Sequence, residues 1–115
     1  MSDPLDRVSE WLTLEEVATE LGTTLGKVNR LLEEYSLFAI KRDKKMMVPK
    51  ELIVSGEPLA SLRGTLILLH DSGYSTDEAV KWLYTESEVL GEAPIQSLLA
   101  GKKAPVRRLA QMIDL

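Results

Sequence analysis

Between residues 24 and 45 the chain places Thr24, Gly26, Lys27, Asn29 and Arg30 close together, then Lys41, Arg42, Lys44 and Lys45 within five residues. Lysines and arginines in such numbers neutralise phosphate oxygens, an Asn amide can pair with an adenine edge, and Arg or Lys can pair with guanine. A glycine among them lets a backbone approach its ligand closely. The chemistry on offer is recognition of a polyanion, with base edges in reach of the first group. Catalysis has far weaker support. The chain has no cysteine and a single histidine, His70, so thiolate nucleophiles, disulfides and histidine-rich metal sites are excluded. His70 is followed by Asp71, but residues one apart on a helix do not face each other, and a histidine near a helix C-terminus suits the helix dipole. The expectation is a non-enzymatic protein with no cofactor and no metal.

Those groups need elements to hold them. Leu14, Val17, Ala18 and Leu21 recur at helical spacing, with Thr13 as N-cap, Glu16 completing a capping box and Gly22 suited to a left-handed end. Thr24 then caps a second helix whose apolar face is Val28, Leu31, Leu32 and Tyr35. That face leaves Thr24, Gly26, Lys27, Asn29 and Arg30 pointing outward, as a recognition helix in a major groove requires. Two short helices joined by a glycine-containing turn form a helix-turn-helix. Residues 38–41 and 46–48 read as two short strands around Arg42-Asp43-Lys44-Lys45, with Pro49 closing the second. The result is a two-stranded wing with four cations at its tip, placed to straddle a phosphate backbone. Glu33 and Glu34 end the second helix, and that end is expected to point away from a duplex.

Residues 50–54 read as one helical turn, and Ser55-Gly56-Glu57-Pro58 as a boundary. Four helices are expected beyond it, over 59–70, 75–84, 94–100 and 105–113, with Leu59, Leu62, Leu66 and Leu69 and then Ala79, Trp82 and Leu83 on their apolar faces. The fold class is mainly α with a small β-hairpin wing: a winged helix-turn-helix domain over 1–55, followed by a small helical C-terminal domain over 56–115. Charge sharpens the division. The chain is net −4, yet residues 23–50 hold seven Lys or Arg against three acids, while residues 1–22 hold one against six. All the excess positive charge therefore falls on the second helix and the wing. Lys102, Lys103, Arg107 and Arg108 form a second basic cluster, a secondary candidate to extend a DNA footprint that is read first as solvated charge, with the two lysines favourably placed after a helix C-terminus.

Trp11-Leu12-Thr13-Leu14-Glu15-Glu16-Val17-Ala18-x-x-Leu21-Gly22, Thr24-x-x-x-Val28-x-Arg30-Leu31-Leu32 and Val48-Pro49-Lys50-Glu51-Leu52 together resemble the excisionase-like and MerR-like winged helix-turn-helix domains. The chain departs from that pattern at Leu25-Gly26, where polar residues are more usual. As a whole it is similar to a small actinobacterial family of DNA-binding proteins that join such a domain to a helical C-terminal domain. In the second half, Ala79-x-x-Trp82-Leu83, Leu90-Gly91, Pro94-Ile95 and Leu98-Leu99-x-Gly101 resemble the C-terminal helical domain of Xre-type antitoxins. That likeness implies a protein partner, although Trp82, Leu83, Leu90, Ile95, Leu98 and Leu99 are read first as core.

The leading expectation is a double-stranded DNA-binding protein, a transcriptional regulator or nucleoid-associated factor, with the helix from Thr24 in the major groove and the wing on the backbone. The alternative is an antitoxin-like or adaptor module that binds a protein partner through its C-terminal helices. The N-terminus lacks the pattern of a signal peptide and the longest apolar run, 66–69, is too short to span a bilayer, so no membrane partner and a cytoplasmic, nucleoid-associated location are expected. Helix-turn-helix proteins often read palindromes as dimers, but no heptad repeat or long exposed apolar helix indicates a homodimer here.

Overall fold

A computed structural model describes residues 3–113. The chain forms two compact units, one spanning Val8–Ala60 and the other comprising the described residues up to Arg7 together with Ser61 onward.

In the first unit, strand β1 (Trp11–Thr13) runs directly into helix α1 (Leu14–Leu21). Thr13 Oγ1 accepts the backbone N–H of Glu16, and the Glu16 carboxylate accepts that of Thr13 at 2.8 Å. Gly22, at φ +65°, ends the helix, and Thr23 N–H donates back to the Ala18 carbonyl at 2.9 Å, a Schellman closure that only a left-handed residue permits. Helix α2 (Leu25–Glu33) follows after three residues, and Val17 and Val28 are fully buried between the two helices and the sheet.

Strands β2 (Ile40–Arg42) and β3 (Lys45–Pro49) make the wing, and β1 pairs antiparallel with β3 to give a three-stranded sheet in the order β1-β3-β2. The expected two-stranded wing therefore gains a third strand. Its three residues are too few to register as an alternating pattern, and the pairing of Leu12 with Val48 joins positions 36 apart in sequence. Tyr35 is a further correction. It lies beyond α2 at φ +63° and is 36% exposed. Ser36 N–H closes the helix end on the Leu31 carbonyl, and Leu37 and Phe38 fill the core in place of Tyr35. Those two contacts also hold residues 37–39 out of the sheet, so β2 begins at Ile40 and not at residue 38.

After a 3-10 turn at Lys50–Leu52, β4 (Ile53–Val54) and β5 (Glu57–Pro58) form a second small hairpin through Ser55 and Gly56, both at positive φ. The Ser-Gly-Glu-Pro segment is thus a paired turn of this unit. Leu59 N–H donates to the Leu52 carbonyl at 2.8 Å, and this bond keeps residue 59 out of the helix that was expected to start there.

The second unit packs a 3-10 turn, Pro4–Arg7, and helices α3 (Leu62–Asp71), α4 (Thr76–Tyr84), α5 (Pro94–Leu99) and α6 (Lys103–Gln111) around Leu62, Leu66, Leu69, Leu83, Ile95 and Leu98. Trp82 and Leu90 are half-buried, and Leu99 is 38% exposed on the outer side of α5, so it is not a core residue. A capping box opens α4, where the Glu78 carboxylate accepts the Ser75 N–H at 2.9 Å. That bond holds the Glu78 carboxyl below its ordinary value. The contribution is therefore present at neutral pH and is lost as acid takes the pH down through the lowered value.

Leu52 is fully buried in the first unit. Replacing it with Ala should cost about 2–5 kcal/mol through lost burial and the cavity left behind. A lower urea midpoint at unchanged slope would show this, and an unaltered midpoint would contradict the assigned core.

Candidate nucleic-acid interface

Thr24 opens α2 in an extended conformation, and its Oγ1 accepts the backbone N–H of Lys27 at 3.2 Å. Val28 is buried and Leu31 and Leu32 are half-buried, so the remaining surface of α2 presents Thr24, Gly26, Lys27, Asn29 and Arg30 to solvent. A Cβ at Gly26 would meet nothing nearer than Thr24 Oγ1 at 3.9 Å. No contact within the protein calls for glycine there, although glycine inside a helix costs about 0.5–1 kcal/mol relative to alanine.

The wing turns on Asp43 and Lys44, at φ +49° and +70°. Two consecutive positive φ values match the twist of a hairpin in a type I′ turn, whose second centre is normally glycine. Holding Lys44 there costs about 1–2 kcal/mol. The four expected tip cations do not stay together. Lys41, Lys44 and Lys45 are exposed, whereas Arg42 is half-buried with its guanidinium 4.6 Å from the Trp11 ring centroid. Trp11 pairs with Pro49 and Arg42 with Lys45, so both flank β3 on one face of the sheet, and this cation–π contact is worth about 0.5–2 kcal/mol. Arg42 thus ties β2 to β1, while the three lysines carry the exposed charge.

Thr13, Leu14, Glu15, Leu25, Lys45 and Met46 line one groove of about 380 Å³. It brings the first residue of α2 and the base of the wing tip onto a common surface. Leu25 is 44% and Met46 45% exposed. These two and Glu15 escaped the sequence reading of the site. Helical spacing gave no signal for Leu25, because it falls at i, i+3 and i+7 with Val28 and Leu32 and so shares the apolar face; it meets solvent as the first residue of the helix. Glu10, Glu16 and Glu20 line a different groove with Lys50, and Lys50 and Glu10 approach to 3.7 Å. Burial pushes the neighbouring Glu51 carboxyl above its ordinary value. Its charge opposes folding near neutral pH, and protonation relieves that cost as the pH falls through the raised value. Among the described residues no group of three or more His, Cys, Asp or Glu is placed to hold a metal, and no helix is long and apolar enough to cross a membrane.

A helix pair with a three-residue turn, followed by a hairpin that stands beside the start of the second helix, is a winged helix-turn-helix, and the protein is of that class with a helical domain after it. Residues 1–53 match the wHTH domain of DNA-binding protein Rv2175c, and residues 59–113 match the Rv2175c C-terminal domain of unknown function. The chain belongs to the Rv2175c family. It is 32% identical to DNA-binding protein Rv2175c of Mycobacterium tuberculosis over 122 residues, covering 95% of this chain and 84% of the relative. The NMR structure of Rv2175c superposes with a TM-score of 0.84 at 31% identity, over 96% of this chain and 84% of that one.

Lys44 separates stability from charge. Lys44→Gly should raise the stability of the unit by about 1 kcal/mol by removing the left-handed strain, while deleting one exposed cation. Thermal unfolding reads the gain, and a destabilised variant would contradict the turn geometry.

Proposed function

We propose that the chain is a non-enzymatic, double-stranded DNA-binding protein acting in the cytoplasm on the nucleoid, as a transcriptional regulator or nucleoid-associated factor. In this reading the N-terminal half of α2 enters the major groove, with Lys27, Asn29 and Arg30 at base edges and phosphates, and Lys41, Lys44 and Lys45 meet the flanking backbone. The observation that carries it is the shared groove, which sets Leu25 at the start of α2 beside Lys45 of the wing, while Glu16 and Glu20 of α1 line a different groove. Glu33 and Glu34 lie about 12 Å along the axis from Leu25 at 1.5 Å per residue, away from the groove. Membership of a family whose characterised relative is called a DNA-binding protein supports the same conclusion. Thr24, which already serves the helix as its cap, contributes a backbone and hydroxyl at the phosphate-facing end. Gly26 lets that end approach the duplex without a side chain between.

Two measurements test this. The affinity for duplex should fall steeply with salt, by a slope of about 0.9 per phosphate neutralised. Replacing Lys41, Lys44 and Lys45 together with Ala should flatten the slope by about 2–3. A shallow slope for the unaltered chain would sink the reading, and a slope untouched by the triple change would remove the wing from it. In the second, Gly26→Ala should stabilise α2 by about 0.5–1 kcal/mol yet weaken duplex binding. Binding equal to or tighter than that of the unaltered chain would show that no backbone approach occurs at that position.

A further inference from the structure

The helical unit segregates its own charge. Residues 61–92 hold six acids against Arg63 and Lys81, whereas residues 93–113 hold Lys102, Lys103, Arg107 and Arg108 and no acid at all. Solvation alone does not account for where those four cations sit. Lys103 is the first residue of α6 and Lys102 its cap, with no side-chain hydrogen bond to the exposed N–H groups, so positive charge is placed at the positive end of the helix dipole. The sequence expectation that both lysines favour the preceding helix holds at most for Lys102, which also follows α5. Lys103 and Arg107 stand four apart on one face of the helix, a like-charge pair that weakens it. Among the described residues none of the four has a carboxylate within ion-pair distance.

Arg107 is held in place. Its guanidinium lies against the backbone of α3 at Gly64, where an added Cβ would come within 2.9 Å of the arginine Cζ. Its Nε is buried and meets no hydrogen-bond acceptor. Gly64 stands in the first turn of α3, where it makes room for a cation. Each of these choices weakens the unit locally, and together they maintain a fixed positive surface.

We infer that the exposed cations of α6 and its cap, Lys102, Lys103 and Arg108, with Arg107 packed against α3 beside them, form a second phosphate-contacting surface that binds the backbone of duplex DNA. The inference rests on the reading of the chain as a duplex binder and assigns a role to the helical domain. The phosphate backbone is the favoured partner because Lys102 and Lys103 are exposed point charges followed by an exposed Ala104 and not by a large apolar group. Lysine is depleted in protein–protein interfaces, whose cores favour aromatic, Met and Arg side chains. The contacts are independent of base sequence, so the surface adds affinity and salt dependence without adding specificity.

The full chain is tested with a random-sequence duplex of about 30 base pairs, long enough for several helical turns. Lys102, Lys103 and Arg108 are replaced together by Gln, leaving the packed Arg107 in place. At about 0.9 per phosphate contact, the salt slope should flatten by about 2–3 and affinity near 100 mM salt should fall at least tenfold. The unfolding temperature should stay level or rise, since like charges are removed. A Lys102→Arg, Lys103→Arg, Arg108→Lys variant should keep the slope of the unaltered chain. If the Gln variant matches the unaltered chain in slope and affinity while the wing variant is impaired, the α6 surface serves another partner and the inference is overturned, with the wing reading intact. If the unaltered chain binds no duplex at all, both fall.

Discussion

The site depends on one residue that belongs to two elements. Thr13 is the last residue of β1, paired across from Met47 in the wing, and it is also the N-cap of α1. Its strand partner ties the helix-turn-helix to the hairpin, and its hydroxyl and N–H set where the first helix begins. The extended backbone that a cap requires is the backbone a strand already has, so the two duties do not conflict. Because α1 is anchored in this way, the Schellman closure at Gly22 and the short turn to Thr24 decide where α2 starts. The groove shared by Leu25 and Lys45 is the outcome.

Around that anchor, several positions give up stability. Lys44 takes a left-handed conformation where glycine would be relaxed, Gly26 loosens a helix without any internal reason for glycine, and Leu25 and Met46 leave apolar surface in water. Leu25 and Met46 line the same groove, and Gly26 and Lys44 are their chain neighbours on α2 and the wing. The second hairpin supplies the contrast, because its Ser55-Gly56 turn has the same pair of positive φ values with glycine at the second centre. Two turns of one geometry thus differ at the position where one of them carries a cation. Positions at odds with local propensity concentrate where a surface has work to do.

Both helices of the helix-turn-helix were legible because each carries its own signals: Thr13 with Glu16 and Gly22 around α1, and Thr24 ahead of Val28 in α2. α4 was legible for the same reason, through Ser75 and Glu78. What could not be read was set by partners distant in sequence. β1 is a strand because Val48 and Pro49 pair with it, and Phe38 and Ala39 leave the wing because the core takes them. Arg42 shows the same limit within the site. A run of four cations in the sequence gives no sign that the second reaches back to Trp11. The charge of the site could be read in advance, but the division of its residues between contact and support could not.

A net negative chain that presents confined positive surfaces behaves differently from a uniformly basic one. Screening limits exposed charges to interactions within about 8–10 Å at physiological salt, so acids on α1 that line a separate groove do little to cancel the field at the wing. At longer range and lower salt they would repel the same phosphates that the wing is proposed to attract. On the proposed reading, a duplex approaching the groove of Glu10, Glu16 and Glu20 would be turned away and one approaching the wing drawn in, so the charge pattern would select an orientation before any base is read. Glu15, on the wall of the groove itself, sets the inner edge of that surface. It stands in the first turn of α1, where the helix dipole favours a carboxylate.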